Sequence, residues 1–309
     1  MVPFARVAII GFGLIGSSLA RAVRRDMPGV RLTGHDADPD VRARAEALRL
    51  FDDIADHAGA AVTDADLVIL AVPVRATEAV AKEIAPDLPA DAVVTDVGSV
   101  KTQVAAALAR HISNTARIIP GHPVAGTEDS GPDAGFAALF ERRWCILTPQ
   151  EDADPLAVER LTAFWHDLGA EVDTMSADHH DIVLAVTSHL PHLIAYTIVG
   201  TASDVEEVTR SEVIKYSAGG FRDFTRIAAS DPTMWRDVFL ANKEAVLEVL
   251  QRFSEDLSQL QRAIRWDDGE RLFDHFTKTR DTRRRVIDAG QDTAAPDFGR
   301  VPPSDPGSE

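Results

Sequence analysis

The stretch Gly11-Phe12-Gly13-Leu14-Ile15-Gly16 decides the fold of the first half of the chain. It follows the apolar run Val7–Ile10, which predicts a buried strand, and it opens a helical pattern. In this context Gly11 permits a tight turn, Gly13 lets a pyrophosphate approach the backbone, and Gly16 lets the helix pack closely on the strand. The phosphates would rest on the helix N-terminus. The stretch therefore predicts a dinucleotide-binding turn.

Asp36 is the residue expected to select the cofactor. It follows the second predicted strand and stands 20 residues after Gly16. A carboxylate there accepts hydrogen bonds from a ribose 2′-hydroxyl and repels a 2′-phosphate, so NAD is expected rather than NADP. Arg42 and Arg44 leave open a contact with a phosphate. The other cofactor contacts are expected at Leu14, Ile15 and Val72.

Further apolar runs at 30–34, 66–73 and 92–97 alternate with helical patterns. Such alternation is typical of an α/β fold with a doubly wound, mostly parallel, Rossmann-like sheet. Residues 142–175 add two predicted strands around a helix that begins near Pro155.

The character of the chain changes after Met175, where strand-like runs stop and helical patterns cover 177–202, 232–251, 254–265 and a last stretch to about 289. We expect an NAD-binding domain over 1–175, an all-helical substrate and dimerisation domain over 176–289, and a disordered tail over 290–309. The helices carry more apolar surface than one short domain can cover, which favours a homodimer.

Composition limits the classes of partner. There are 32 Lys and Arg residues against 49 Asp and Glu, a net charge of −17, which argues against nucleic acid and anionic membranes. No apolar run is expected to approach the ~20 residues of a membrane span. Cys145, the single cysteine, lies in an apolar run and reads as a buried, inert thiol. No disulfide within the chain and no signal peptide are expected, which fits the cytoplasm.

The block Gly121-His122-Pro123-Val124-Ala125-Gly126-Thr127-Glu128-Asp129-Ser130-Gly131 follows a strand-like run at 116–120. His122 is the principal catalytic candidate, because a neutral imidazole accepts a proton near neutral pH. The alternative is a structural histidine that satisfies backbone groups. Glu128 either faces the site or braces the loop.

Ser99 lies in Asp96-Val97-Gly98-Ser99-Val100-Lys101, at the carboxyl end of a predicted strand, where ligands of doubly wound folds bind. It is expected to cap the helix that runs from Val100 to Ala109, to face the cleft, or to do both. Lys101 belongs to the same motif, with an exposed lysine of the first helical turn as the alternative.

The helical half contributes a histidine cluster. Ser188, His189 and His192 are spaced to share one helix face, and Pro191 is expected to bend the helix and aim them into a cleft. The alternative is a pair of core histidines. A metal site that adds His179, His180 and Asp181 is rejected, because no zinc spacing is present.

Arg222 and Arg226 offer cations for an anionic substrate, since a guanidinium binds a carboxylate through two hydrogen bonds. A solvated surface arginine is the alternative, more so for Arg222. Trp235, later in the chain, either lines the site or belongs to the hydrophobic core.

Five of these blocks, at 96–101, 121–131, 188–192, 219–226 and 231–235, occur in an order that closely resembles the prephenate/arogenate dehydrogenase family of tyrosine biosynthesis. The resemblance runs from about Val7 to about Arg285. It implies an oxidoreductase that converts prephenate to 4-hydroxyphenylpyruvate, with hydride transfer to NAD and loss of the ring carboxylate as carbon dioxide.

The resemblance also implies residue roles. His122 would accept the hydroxyl proton, and Ser99 would lie near the substrate hydroxyl and the nicotinamide. Arg226 would anchor a substrate carboxylate, with Arg222 keeping a charge found in relatives. His192 would contact the substrate side chain. His189 would support the substrate site, and Glu128 would lie at its entrance. Ser188 and Trp235 would line it.

Three alternatives stay open. Arogenate, or both substrates, is the nearest one. Another two-domain hydroxyacid dehydrogenase is disfavoured, because such enzymes rely on a lysine in the first long helix of the second domain and 177–202 has none. A non-catalytic NAD-binding protein would keep the glycine loop but would not need His122, His192 and Arg226 together.

Overall fold

A computed structural model describes residues 2–127, 129–209 and 218–288 of the 309-residue chain. It contains two compact units, one that ends at Val249 and one that starts at Leu250. The predicted domain boundary near Ser176 falls inside the first unit, between a strand and a helix, and stays a prediction. Glu128 and the predicted tail at 290–309 lie outside the described residues.

The first unit is built on a five-stranded sheet in the order β3-β2-β1-β4-β5, with every neighbouring pair parallel. Its strands are β1 (Arg6–Ile10), β2 (Arg31–His35), β3 (Asp53–Ile54), β4 (Leu67–Leu70) and β5 (Val93–Asp96). The connecting helices are α1 (Leu14–Asp26), α2 (Pro39–Ala47), α3 (Ala58–Val62), α4 (Thr77–Ile84) and α5 (Thr102–Ala109). The predicted doubly wound, parallel sheet is confirmed.

Helices cover both faces of this sheet, because the strands are apolar on both sides. In β1, Val7 and Ile9 belong to one hydrophobic core, while Ala8 and Ile10 belong to the other. The strand order reverses between β1 and β4, so the carboxyl ends of these two strands form the edge at which ligands bind in such folds.

A second, three-stranded sheet follows, with β6 (Gly121–Pro123) antiparallel to β7 (Trp144–Leu147) and β7 parallel to β8 (Glu171–Thr174). Helix α6 (Pro155–Asp167) lies between the last two strands in the chain, as predicted. Cys145 in β7 is fully buried and its thiol is free, also as predicted.

The strand predicted at 116–120 is wrong. Residues Thr115–Arg117 form a 3-10 turn, and Ile118 makes an isolated parallel bridge with Val94. Pro120 has no N–H to donate to a ladder, so regular pairing starts only at Gly121. His122 therefore lies within strand β6 and does not follow a strand.

The long helix after β8 has three consecutive parts: α7 (Ala177–Leu184), a π-helical segment (Ala185–His189) and α8 (Leu190–Thr209). The widened segment ends just before Pro191, whose missing N–H interrupts the helical bonding. Residues Ala177–Val205 are long and apolar enough to cross a membrane by length and composition. That corrects the expectation that no run approaches a membrane span, although the same helix buries His180 and Asp181 against protein.

The remaining helices are α9 (Gly219–Thr225), α10 (Pro232–Ala241), α11 (Lys243–Arg265) and α12 (Gly269–Asp288). The predicted break near residue 252 is wrong, because α11 continues through Ser254, whose hydroxyl donates to the Leu250 carbonyl. The helix breaks at Asn242 instead, where the amide side chain donates to the backbone carbonyl of Asp181 at 2.8 Å.

Candidate active site

The glycine loop at the end of β1 has two packed positions and one open position. Gly11 has φ +101°, and a Cβ there would overlap the carbonyl of Ala71. A Cβ on Gly16 would overlap the Gly11 carbonyl, whereas a Cβ on Gly13 would meet nothing within 4 Å. Helix α1 starts at Leu14 without a side-chain cap, so its first N–H groups are free of side-chain acceptors. Both features fit a bound pyrophosphate.

The Asp36 carboxylate braces the same loop. One of its oxygens accepts the Phe12 N–H at 2.7 Å, and the other accepts the Asp38 N–H at 2.9 Å. A carboxylate has about four lone-pair sites, so acceptor capacity remains for a ribose hydroxyl. Arg42 donates to the backbone carbonyl of Asp36 at 2.7 Å, and Arg44 pairs through two nitrogens with Asp133. Both guanidinium groups are thus engaged by protein acceptors.

Three side chains form a hydrogen-bonded relay at β6. The Nδ1 atom of His122 lies 2.9 Å from Nε2 of His180. The Nδ1 atom of His180 in turn lies 2.9 Å from an oxygen of Asp181. His180 is fully buried, while His122 is 8% and Asp181 5% exposed. The relay joins the strand that carries the predicted catalytic residue to helix α7.

Burial keeps both histidines of the relay uncharged. It lowers the pKa of His122 well below its usual value, and the positive charges that His180 and Lys101 would present lower it further. Burial also lowers the pKa of His180, although the hydrogen bond to Asp181 opposes that shift. His122 therefore remains a neutral proton acceptor at and below neutral pH.

A buried ion pair holds the residue before His122. Lys101 is fully buried, pairs with Asp96, and donates to the Gly121 carbonyl at 2.6 Å. Asp96 accepts the Gly121 N–H at 3.2 Å, so both backbone groups of Gly121 are held by the pair. The alternative of an exposed Lys101 is wrong, because its ammonium group reaches Asp96 and the Gly121 carbonyl in β6 and is fully buried.

Ser99 does not cap helix α5, contrary to one of its two expected roles. The helix starts at Thr102, with Lys101 in the cap position. Asp181 supplies the missing acceptor across the fold, since its oxygens accept the N–H groups of Lys101 at 2.8 Å and Thr102 at 2.9 Å. Ser99 is half-buried, and its predicted place in the cleft stays a prediction.

His189, at the end of the π-helical segment, is fully buried and lies 3.1 Å from the Asn242 amide through Nδ1. Burial lowers its pKa to about 4. The ring also lies beside the Ser99 backbone carbonyl, which favours the protonated form, but no well-aligned hydrogen bond reaches its buried Nε2. The Nε2 atom of His189 can therefore still form a hydrogen bond. The supporting role of His189 stays a prediction.

His192 stacks on Trp235, with ring centroids 3.6 Å apart, and its Nδ1 lies 2.9 Å from the Ser188 carbonyl. Burial lowers the pKa of His192, and the positive charge of Arg226 lowers it further. Trp235 forms a small core with Val100, next to Ser99. The stacked pair therefore lies beside the loop that follows β5.

Arg222 differs from Arg226. Its side chain is 78% exposed and pairs with the neighbouring Asp223 at 3.4 Å. The solvated interpretation fits Arg222, whereas Arg226 is half-buried beside the stacked pair. Both assignments to the substrate site stay predictions.

The sequence gives no site role to four residues that the fold brings together with Lys101: Asp96, His180, Asp181 and Asn242. The sequence does contain a signal for Asp96, because an aspartate at the end of an apolar strand is costly to bury unless it is paired. His180 and Asp181 were considered only as metal ligands. Among the described residues, no group of three or more His, Cys, Asp or Glu side chains is arranged to hold a metal ion.

Two family models match the chain. The model described as prephenate dehydrogenase, nucleotide-binding domain, matches residues 19–174, and the model described as prephenate dehydrogenase, dimerization domain, matches residues 176–278. The chain belongs to the prephenate dehydrogenase family. The first match begins inside α1, after the glycine loop. The interpretation of the loop as a dinucleotide-binding turn therefore rests on its geometry.

Similar proteins extend the family match to almost the whole chain. A cyclohexadienyl dehydrogenase of Zymomonas mobilis is 47% identical over 92% of this chain and 96% of its own length. A prephenate dehydrogenase of Bacillus subtilis is 35% identical over 90% of this chain and 75% of its own. The crystal structure of prephenate dehydrogenase from Aquifex aeolicus, in complex with hydroxyphenyl propionate and NAD+, is 35% identical, with a TM-score of 0.85 over 91% of this chain and 98% of that one.

Proposed function

We propose that the chain is an NAD-dependent prephenate dehydrogenase, which oxidises and decarboxylates prephenate to 4-hydroxyphenylpyruvate in tyrosine biosynthesis. The observation that carries the proposal is the buried, uncharged His122, held at one nitrogen by the relay in a chain of this family. The named activities of the relatives from Zymomonas mobilis and Bacillus subtilis support the same reaction class.

The cofactor proposal rests on the glycine loop. The open position at Gly13 and the uncapped start of α1 suit a pyrophosphate, and Asp36 suits a ribose diol. Leu14, Ile15, Gly16 and Val72 would line the dinucleotide with Gly11. NAD supplies the hydride acceptor when it is bound. The ligand of the Aquifex aeolicus relative supports this choice.

In the proposed reaction His122 accepts the proton of the ring hydroxyl as the carbonyl forms, and Ser99 orients that hydroxyl. Arg226 holds a substrate carboxylate through two hydrogen bonds. His192, stacked on Trp235, contacts the substrate side chain, while His189 and Ser188 support it. Glu128 at the entrance completes the proposed set, and the exposed Arg222 is left out of it. Formation of an aromatic ring drives the loss of carbon dioxide.

Arogenate is the second candidate substrate, alone or beside prephenate. The observation that favours it is the 47% identical relative, which is named a cyclohexadienyl dehydrogenase. Arogenate has an amino group where prephenate has a ketone. Because Nδ1 of the uncharged His192 donates to the Ser188 carbonyl, its Nε2 atom can only accept, which suits that amino group. The relatives named prephenate dehydrogenase keep prephenate first.

We also propose a homodimer in the cytoplasm. Large apolar side chains of α11 and α12 are exposed by half or more: Leu257, Ile264, Phe273 and Phe276. Trp266, between these helices, is 77% exposed. A second copy of the chain would cover this surface. The absence of a disulfide partner for Cys145 suits a reducing compartment.

The test is NADH or NADPH formation by the purified protein with prephenate and with arogenate, each with NAD and NADP. The proposal expects the highest kcat/KM with prephenate and NAD. Activity with arogenate alone would keep His122 and the cofactor but reassign His192. Turnover of neither substrate, with NAD bound, would reject the proposed function.

A further inference from the structure

We propose that His180 and Asp181 are positioning residues that fix His122 in the tautomer with its proton on Nδ1, which leaves Nε2 as the base. The inference rests on the proposed function for its catalytic meaning. It rests on the geometry of the relay for the tautomer itself, so the two are separable by experiment.

The direction of each hydrogen bond follows from the Asp181 end of the relay. Burial raises the pKa of Asp181, but hydrogen bonds from His180 and from the backbone of Lys101 and Thr102 outweigh it and leave the pKa below its usual value. An ionised carboxylate only accepts hydrogen bonds. The Nδ1 atom of His180, at 2.9 Å, must therefore carry a proton.

The proton on His122 follows in the same way. His180 is buried and its pKa is lowered, so it is neutral and has one proton, the one on Nδ1. Its Nε2 atom is then an acceptor for Nδ1–H of His122 at 2.9 Å. In a neutral imidazole the hydrogen bond at one nitrogen decides the state of the other. Nε2 of His122 is thus the unprotonated nitrogen.

The carboxylate is fixed before any substrate arrives. Its oxygens accept two N–H groups at the start of α5, where the helix dipole favours a negative charge. The carbonyl of Asp181 accepts from Asn242 at 2.8 Å. Bonds from two other elements, the start of α5 and the junction at Asn242, hold this one residue.

The relay also stabilises the charge that His122 gains when it takes a proton. The imidazolium would donate through Nδ1 to His180, which donates in turn to the negative Asp181. The other ionisable groups around it are Lys101 with its partner Asp96 from the β5–α5 connection, His189 from the π-helical segment, and Cys145 from β7. Lys101 opposes a charge on His122, and Asp181 offsets it.

The kinetic test compares His180→Phe with His179→Phe, the same change one residue earlier on the exposed side of α7. We expect His180→Phe to lower kcat about 100-fold, with KM for prephenate and Kd for NAD changed less than threefold. The acidic limb of the kcat profile should move to lower pH, because the imidazolium loses its acceptor. His179→Phe should match the wild type. Equal effects of the two changes would overturn the inference.

Asp181→Asn is the second variant, which tests the relay if His180→Phe does not fold. The change removes the charge and keeps an acceptor oxygen for one of the two N–H groups at the start of α5, while the other N–H faces the NH2 group. We expect kcat about tenfold lower, and the same downward move of the acidic limb. A normal profile with reduced kcat would indicate a merely structural role and would contradict the inference.

The tautomer itself is measurable without turnover, by ¹⁵N NMR of the histidine-labelled protein, with His122→Asn to assign the signals. The inference expects a protonated Nδ1 and a bare Nε2 on His122 in the wild type, and a changed ratio in His180→Phe. A protonated Nε2 in the wild type would overturn it. Failure of the substrate assays alone would reject the proposed function and leave the tautomer result standing.

Discussion

The loop after β1 and the relay at β6 lie in the same compact unit but arise in different ways. The loop depends on neighbours in sequence: Gly11, Gly13 and Gly16 lie within six residues, and Asp36 directly follows the next strand. The relay joins His122 to His180, 58 positions away, and Asp181 to Lys101, 80 positions away. A motif of neighbouring residues can be recognised in the sequence, whereas a site assembled from distant residues cannot.

His122→Asn should have the largest effect, because it removes the proton acceptor and leaves the cofactor loop intact. We expect kcat about 1,000-fold lower, equivalent to about 4 kcal/mol, with Kd for NAD unchanged. Steady-state kinetics and calorimetric titration of NAD measure the two quantities. Loss of NAD affinity in parallel with kcat would mean that the two regions are not separable.

Lys101→Met tests how β6 is held. The change leaves Asp96 buried without its partner, which should cost about 3 kcal/mol of unfolding free energy or more. Urea unfolding measures it, with Lys82→Met on the exposed side of α4 as the control. If both variants unfold alike, the pair does not anchor the strand.

Acid should weaken the fold through the buried histidines. The pKa of His189 is lowered to about 4, so the unfolded chain takes up a proton near pH 6.5 before the folded chain does. Stability from this residue is complete above pH 6.5 and is lost as the pH falls to 4, by about 3 kcal/mol. Unfolding curves from pH 7 to 4 for the wild type, His189→Asn and the exposed His179→Asn check this. The slope should lessen only in His189→Asn.

Two arginines one helical turn apart sharpen the comparison. Arg226→Ala should raise KM for prephenate about 20-fold, since one charge-assisted contact is lost, a cost of roughly 2 kcal/mol. Arg222→Ala, at the exposed site, should change KM less than twofold. A larger effect at Arg222 would reverse their assignment.

Asp36→Ala should have the smallest effect and should act on the loop alone. We expect the NAD to NADP ratio of kcat/KM to fall about fivefold, roughly 1 kcal/mol, with kcat for NAD nearly unchanged. Adding Asp133→Asn, which releases Arg44, should lower the ratio further. An unaltered ratio in both variants would remove Asp36 from cofactor selection.

The sequence predicted most of the fold because its signals are local. The parallel strands, the glycine loop and α6 follow from apolar periodicity and caps, as at Asp154. The errors arose where distant residues decide local structure. Asn242 ends a helix because its amide reaches Asp181, and Ser99 lost its expected capping role because Asp181 supplies the acceptor.

For the site, the sequence predicted His122, and the family resemblance supplied Arg226 and His192. The burial of Lys101 could not be predicted, because its partner Gly121 lies 20 positions away in the chain. The relay could not be predicted for the same reason, since His180 and Asp181 join the site only through contact with a strand that is distant in sequence.

The most direct test of the whole account is to follow NADH formation and carbon dioxide release together, with prephenate labelled in the ring carboxylate. The account predicts equal amounts of both products from NAD and prephenate, and neither in His122→Asn. NADH without labelled carbon dioxide would indicate a different hydroxyacid dehydrogenase. Bound NAD with neither product from the wild type, or unchanged formation of both products in His122→Asn, would contradict the account.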